Sequence, residues 1–144
     1  MVGAKKDIRI AKIEVKEGVK VNKQYTFDGA TVYTKHIVAG TYKDGDSVSY
    51  VNDYFTVLYS AKSKVEKKSY TGEQAWADEY TGGYRLNFGA AASTSMNSIK
   101  FTTKESEATV KVWWKAGAND RHMQILGADG TPIAVSTEEA KKDV

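Results

Sequence analysis

The sequence predicts an all-β protein, a single antiparallel β-sandwich of jelly-roll-like type. Short runs rich in tyrosine, threonine and valine alternate with turn residues, and the chain has nine Tyr, four Phe, three Trp and twelve Gly. Many short strands at this spacing are typical of a sandwich or barrel, whereas βα units would need longer helical patterns between the strands. With 144 residues, the chain has the length of one domain.

Period-two alternation of apolar side chains predicts strands along most of the chain. The predicted strands are residues 8–15, 23–28, 31–38, 54–60, 84–88, 98–103, 108–115, 121–126 and 132–136. The alternation of the first strand slips between Ile10 and Ile13, as it does at a β-bulge. A turn is expected at 43–46, and only two short segments, 73–79 and 137–143, have a helical pattern.

Composition and charge exclude several classes of protein. Charged residues make up 27% of the chain and its longest apolar run falls short of about 18 residues, so no membrane span is expected. No signal peptide is recognisable, and with no Cys disulfides and thiolate zinc sites are excluded. Lysine supplies nearly all the positive charge, and the only arginines are Arg9, Arg85 and Arg121. Because nucleic-acid binders rely on arginine, a nucleic acid is not an expected partner.

The sequence contains no recognisable catalytic constellation, and we expect a protein that is not an enzyme. His36 and His122 lie far apart and outside any metal-ligand spacing, and no G-x-S-x-G elbow is present. Asp44 and Asp46 are weak candidates for calcium, since hard oxygen ligands suit that ion. A turn of this composition is common without a metal, so we expect no cofactor.

The strand at 108–115 carries the chain's one pair of adjacent tryptophans. Its side chains alternate between an inward set of Val110, Val112 and Trp114 and an outward set of Lys111, Trp113 and Lys115. An exposed Trp113 between two lysines would mark a binding surface. The sequence leaves a second interpretation equally open, in which Trp113 packs under a loop.

Further basic residues accompany this strand. In 84–88 the alternation points Leu86 and Phe88 inward and Arg85 outward, where it could converge with Lys115 and the arginine at 121. Lysines also cluster at 62–68; two of them, at 62 and 64, share a face if this segment is extended. Such a cluster is either a solvated loop or a set of cations at regular spacing for the carboxylates of a polymer.

Three segments resemble a known family: DYFTVLYSAKSKVEKK, GGYRLNFGAAASTSMNSIKFTT and ATVKVWWKAGANDRHMQILGADGTPIAVS. They are similar to carbohydrate-binding module family 77, the pectin-binding modules attached to bacterial pectate lyases. The resemblance covers residues 25–136, which leaves 1–24 as an N-terminal strand and linker. It implies a β-sandwich that binds homogalacturonan without catalysis, with lysines contacting the carboxylates. The expected ligand-binding residues are Lys62, Lys64, Arg85, Trp113, Lys115 and Arg121.

The chain departs from this family at its ends. Modules of the family continue with further strands after the segment that matches 137–144, whereas this chain stops at Val144. Its first strand instead looks like the missing last one. The sequence leaves open whether the N-terminal strand fills the final place in the same molecule, as in a permuted chain, or is exchanged between copies to give a strand-swapped oligomer.

The expected function is therefore recognition of an anionic plant polysaccharide, pectin, by a secreted module appended to a pectate lyase or another plant cell-wall enzyme. Two alternatives stay open: a structural or adhesive β-sandwich module of a bacterial surface protein, and a neutral-glycan binder that stacks sugars on Trp113.

Overall fold

Two antiparallel β-sheets make up the protein, and the predicted all-β sandwich is confirmed. The computed structural model describes residues 2–4, 8–18, 21–27, 37–68, 70–78, 80–105, 107–118 and 121–135. The strands are β1 (Val2–Ala4), β2 (Ile8–Glu17), β3 (Val21–Thr26), β4 (Ser47–Tyr50), β5 (Phe55–Leu58), β6 (Lys64–Lys67), β7 (Tyr84–Asn87), β8 (Ser98–Lys100), β9 (Ala108–Ala116), β10 (Met123–Leu126) and β11 (Pro132–Val135). In this described part, no helix has the length and hydropathy of a membrane span.

The first sheet has six strands in the order β11-β10-β1-β8-β5-β4. The second sheet is built around β2, which pairs with β9 along one side and with β3 and β7 along the other, and β6 pairs with β7. All of these pairings are antiparallel.

The core lies between the two sheets. Apolar side chains from the strands of both sheets form one buried cluster, which includes Ile8, Ile10, Ile13, Val15, Tyr25, Tyr50, Phe55, Val57, Val65, Leu86 and Ile99. The inward set predicted for 108–115 packs against this cluster. Leu86 and Phe88 belong to it as predicted, because the alternation of a strand sends every second side chain to the same face.

The bulge predicted in the first strand is present in β2. Ile10 pairs with Trp114 and Lys12 pairs with Trp113, so Ala11 is the extra residue of the bulged strand. The carbonyl oxygen of Ala11 accepts a hydrogen bond of 2.8 Å from the backbone N–H of Phe27. Both Ile10 and Ile13 therefore face the core although they are three residues apart.

Several predicted elements differ from the observed ones. The segment 31–38 lies largely outside the described residues, although Ile37 forms an isolated bridge with Val65. In the helical candidate at 73–79 the structure has a single 3-10 turn, Gly72–Gln74, and the candidate at 137–143 lies outside the described residues. The strands β1, β4 and β6 were not predicted, because their segments have too few apolar positions to show alternation, whereas the equally short β5, β7 and β8 lie within longer alternating runs.

The N-terminal strands occupy central positions in both sheets of their own chain. β1 lies between β10 and β8, and β2 lies between β9 and the pair β3 and β7. This is the arrangement that the permuted alternative requires. Residues 1–24, expected to be an N-terminal strand and linker, contain β1, β2 and the first four residues of β3.

Candidate functional site

The side of the second sheet that points away from the core is strongly basic, and we call it the outer face. Cross-strand partners share a face of a sheet, so the pairing register identifies its residues. Among the described residues of these five strands, seven basic and two acidic side chains occupy outer-face positions. They are Arg9, Lys12, Lys16, Lys64, Arg85, Lys111 and Lys115, with Glu14 and Glu66. The surplus of positive charge on this face exceeds the formal net charge of +3 of the whole chain.

Four outer-face residues form a row across the strands, which we call the basic row. Lys115 pairs with Arg9, Arg9 pairs with Asn87, and Asn87 pairs with Lys64. At about 4.8 Å between neighbouring strands, this row of three cations and one amide spans roughly 14 Å. The row thus brings together two of the sequence-predicted site residues, Lys64 and Lys115, and adds Arg9.

Glu66 pairs with two cations, Lys64 of the basic row and Arg85 beside it. Its Oε2 lies 2.9 Å from Lys64 Nζ, and its Oε1 accepts hydrogen bonds of 3.0 and 2.8 Å from Nε and Nη2 of Arg85. Burial by itself would raise the pKa of the Glu66 carboxyl, but the hydrogen bonds from Lys64 and Arg85 outweigh it and hold this pKa below its usual value. The outer face therefore already binds carboxylates of its own, since Glu14 likewise lies 3.9 and 3.3 Å from the ammonium groups of Lys12 and Lys16.

A segment of the chain crosses the outer face and covers part of it. We call residues 70–78 together with Tyr80 the strap. Its aromatic side chains Tyr70 and Trp76 form a second buried cluster with Ala11 and Trp113, against which Tyr80 packs. The indole N–H of Trp113 donates a hydrogen bond of 3.0 Å to the carbonyl oxygen of Ala77.

Of the two interpretations of Trp113, the structure supports packing under a loop. Its side chain is on the outer face as predicted, but the residue is only 7% exposed, so the expectation of an exposed stacking platform was wrong. Sequence alternation assigns the face of a strand and cannot show what covers that face. Lys12 Nζ lies 4.4 Å from the centroid of the Trp113 ring, which gives this covered indole a cation–π contact.

The strap also covers two of the predicted cations. Lys115 is 5% exposed and Arg85 is 6% exposed. Lys115 Nζ lies 5.1 Å from the ring centroid of Tyr70 and 5.2 Å from that of Trp76. Arg85 Nη1 donates to the hydroxyl oxygen of Tyr70. Both cations thus lie on the expected face but under aromatic rings.

A cleft of about 530 Å³ lies where the strap meets β9. All three tryptophans of the chain, Trp76, Trp113 and Trp114, line this cleft, together with Lys111 and Lys115. Trp76 and Trp113 are themselves buried and Trp114 packs against the core, so little of their ring surface faces the cleft.

The remaining predicted site residues lie elsewhere. Lys62 is exposed in the turn before β6, with its backbone so close to Gly89 that a Cβ atom there would lie 2.8 Å from the Lys62 carbonyl oxygen. Because β6 begins at Lys64 and Lys62 lies in the turn before it, the two lysines are not alternate residues of one strand. Arg121 precedes β10 of the first sheet and is not part of the basic row.

The turn predicted at 43–46 is present. Asp44 and Asp46, the calcium candidates, accept backbone hydrogen bonds there. Asp44 Oδ1 accepts a hydrogen bond of 2.9 Å from the backbone N–H of Ala61, and Asp46 Oδ2 accepts one of 2.8 Å from that of Lys43. No group of three or more potential metal ligands occurs in the part of the chain that the structure describes. The histidine at position 36 lies outside the described residues.

Sequence reasoning missed Arg9, Glu66 and the strap residues Tyr70 and Trp76. Arg9 had a usable signal, because it stands between Ile8 and Ile10 and must therefore point away from the core. The contact of Glu66 with Arg85 and the contacts of the strap with the outer face join residues distant in the chain, and alternation carries no information about them.

No protein-family model, curated protein or solved structure matches this chain.

Proposed function

We propose that the protein is a non-catalytic module that binds an anionic polysaccharide, with a pectin-type polyuronate as its ligand. The observation that supports this proposal best is the basic outer face, on which Lys64, Arg85 and Lys115 lie together with four further cations. The resemblance to family 77 of carbohydrate-binding modules points to the same ligand, to secretion and to attachment to a plant cell-wall enzyme.

The proposed mechanism is a sum of weak ion pairs. A single exposed ion pair contributes less than about 1 kcal/mol, so several cations must act on successive carboxylates of one chain. The side chain of Lys64 is 42% exposed, whereas Lys115 of the same row is buried. Its Nζ already binds the carboxylate of Glu66, and a uronate carboxylate offers the same two oxygens.

Polygalacturonate binding by isothermal titration calorimetry tests the proposal. The variant Lys64→Glu places a negative charge in the basic row, and we expect its affinity to fall by about tenfold, equivalent to about 1.4 kcal/mol. The matched control is Lys43→Glu, which reverses an exposed lysine in the turn before β4 of the other sheet, and its affinity should equal that of the wild type.

Salt concentration and methyl esterification of the ligand provide two further tests of the same mechanism. Binding should weaken as salt is raised from low to high concentration, because exposed charges are screened. It should also be lost on highly methyl-esterified pectin, which has few carboxylates. Equal binding of low- and high-methyl pectin at low salt would contradict the mechanism.

A second candidate function is binding of a neutral glycan in the cleft between the strap and β9. The volume of this cleft, about 530 Å³, favours this alternative, although its Trp76 and Trp113 are buried. Xylan or cellulose oligosaccharides would then bind with an affinity that does not depend on salt or on Lys64. If no glycan binds, the structural or adhesive module becomes the better proposal.

A further inference from the structure

The strap covers charged groups as well as an apolar surface. Beneath it lie the ammonium group of Lys115 and the guanidinium group of Arg85, each in a residue at least nine-tenths buried. Removing a charge from water is unfavourable unless other interactions replace its hydration. Here aromatic rings supply part of the replacement, with Tyr70 and Trp76 at 5.1 and 5.2 Å from Lys115 Nζ.

The polar contacts between the described residues of the strap and β9 include a hydrogen bond and an exposed ion pair. One is the hydrogen bond from the Trp113 indole to Ala77, and another is the ion pair of 3.8 Å between Asp78 and Lys111. Both side chains of this ion pair are more than half exposed, and such pairs add little stability. The indole N–H of Trp76 is buried without a hydrogen-bond partner among the described residues, which further opposes the closed position.

The rings of the strap lie against the Lys115 ammonium group, on the side from which a ligand would approach. Tyr70 also receives the hydrogen bond of Arg85 Nη1. A carboxylate that pairs with either cation must therefore displace Tyr70, Trp76 or both, and at Arg85 it must also compete with Glu66.

We propose that the strap is a lid that closes the most buried part of the basic face, and that a uronate carboxylate reaches Lys115 and Arg85 only when it lifts. This inference rests on the proposed function. The fraction of molecules with an open strap then limits the observed affinity, because the measured dissociation constant is the intrinsic dissociation constant divided by this open fraction.

A covalent tether between the strap and β9 tests the lid. The chain has no cysteine, so the double variant Asp78→Cys with Lys111→Cys carries only the two introduced thiols, at positions whose native side chains meet. One sample is bridged with a short bis-maleimide, and its matched control is the same variant with both thiols capped by N-ethylmaleimide. We expect the bridged protein to bind polygalacturonate at least tenfold more weakly than the capped protein.

Equal affinities of the bridged and capped proteins would overturn the lid. If the wild type does not bind polygalacturonate, the proposed function fails, and hydrogen exchange in the unliganded protein then decides the lid. The indole proton of Trp113 should exchange faster than the amide protons of β2, because lifting the strap breaks the hydrogen bond of this indole to Ala77 and leaves the pairing of β2 intact. An indole proton as protected as those amides would also overturn the lid.

Discussion

At the scale of the single residue, Glu66 determines how much of the positive charge near the basic row is available to a ligand. It pairs with Lys64 and with Arg85, the one exposed to solvent and the other covered by the strap. A carboxylate ligand would have to compete with it for both cations. The internal carboxylate thus both stabilises the buried guanidinium and occupies the position that a uronate would take.

Replacing Glu66 with glutamine should separate these two roles. In Glu66→Gln the affinity for polygalacturonate should rise a few-fold, because Lys64 loses its competing carboxylate. The free energy of unfolding should fall by about 1–3 kcal/mol, since the buried Arg85 loses a charged partner. Calorimetric binding and urea denaturation measure the two effects. An unchanged affinity would show that Glu66 does not compete with the ligand.

A second informative residue is Glu17, a carboxylate buried at the end of β2. Its Oε2 accepts a hydrogen bond of 2.7 Å from the Tyr54 hydroxyl, and its Oε1 accepts the backbone N–H groups of Lys104 and Glu105. The hydrogen bond from Tyr54, followed by that from Glu105, holds the pKa of Glu17 below its ordinary value of 4.5. Glu17 therefore ties the segment after β8 to the second sheet.

The lowered pKa predicts how stability depends on pH. The ionised carboxylate contributes in full above pH 4.5, and its contribution is lost as the pH falls through the lower pKa of the folded state. Glu17→Gln should therefore melt below the wild type at pH 7, and the difference should shrink as the pH is lowered through 4 to 3. Calorimetric melting across this range measures it, with the exposed Glu107→Gln as a control that should follow the wild type. A difference that stays constant with pH would contradict this account.

At the scale of the element, the bulge at Ala11 decides which residues of β2 face the core. Before the bulge Arg9 points outward, and after it Lys12, Glu14 and Lys16 do so. The alternation slip in the sequence predicted the bulge, because two isoleucines three residues apart cannot share a face of a regular strand. The strands β1, β4 and β6 had no comparable signal, since their segments have too few apolar residues to alternate and only pairing with neighbours defines them.

Deleting Ala11 should therefore be far more damaging than changing it. Without the extra residue, Ile8 and Ile10 would point to the outer face and Arg9 would enter the core. We expect this deletion variant to be unfolded by circular dichroism at 25 °C, whereas Ala11→Ser should retain cooperative melting. A folded deletion variant would mean that the β2–β9 register can shift without loss of the core.

At the scale of the whole molecule, the first strands of the chain complete both sheets. β1 pairs with β8 and β10, and β2 pairs with β9, all of which follow them by more than eighty residues. Removing β1 and β2 would expose the core at both sheets. Side-chain packing and strand pairing specify the positions of these two strands, whatever their order in the chain. This topology also brings Arg9 between Lys115 and Asn87.

A permuted chain tests this statement directly. Moving residues 1–18 behind residue 144 through a flexible linker should give a protein with the same cooperative unfolding and the same polygalacturonate affinity. Simple deletion of residues 1–18 should give an unfolded chain. Circular dichroism and calorimetry measure both variants. An unfolded permuted chain would show that the direct connection of β2 to β3 is needed.

The sequence by itself determined the all-β class, the face of each clear strand, the bulge and the surplus of lysine, because each of these depends on residues that are neighbours in the chain. It also placed Arg85 and Lys115 on the side away from the core. Only the tertiary structure decided that Lys64, Arg9 and Lys115 lie in one row and that the strap covers Trp113. The pairing partner of a strand and the segment that covers its face are long-range choices, made by the packing of the whole core, and local alternation carries no record of them.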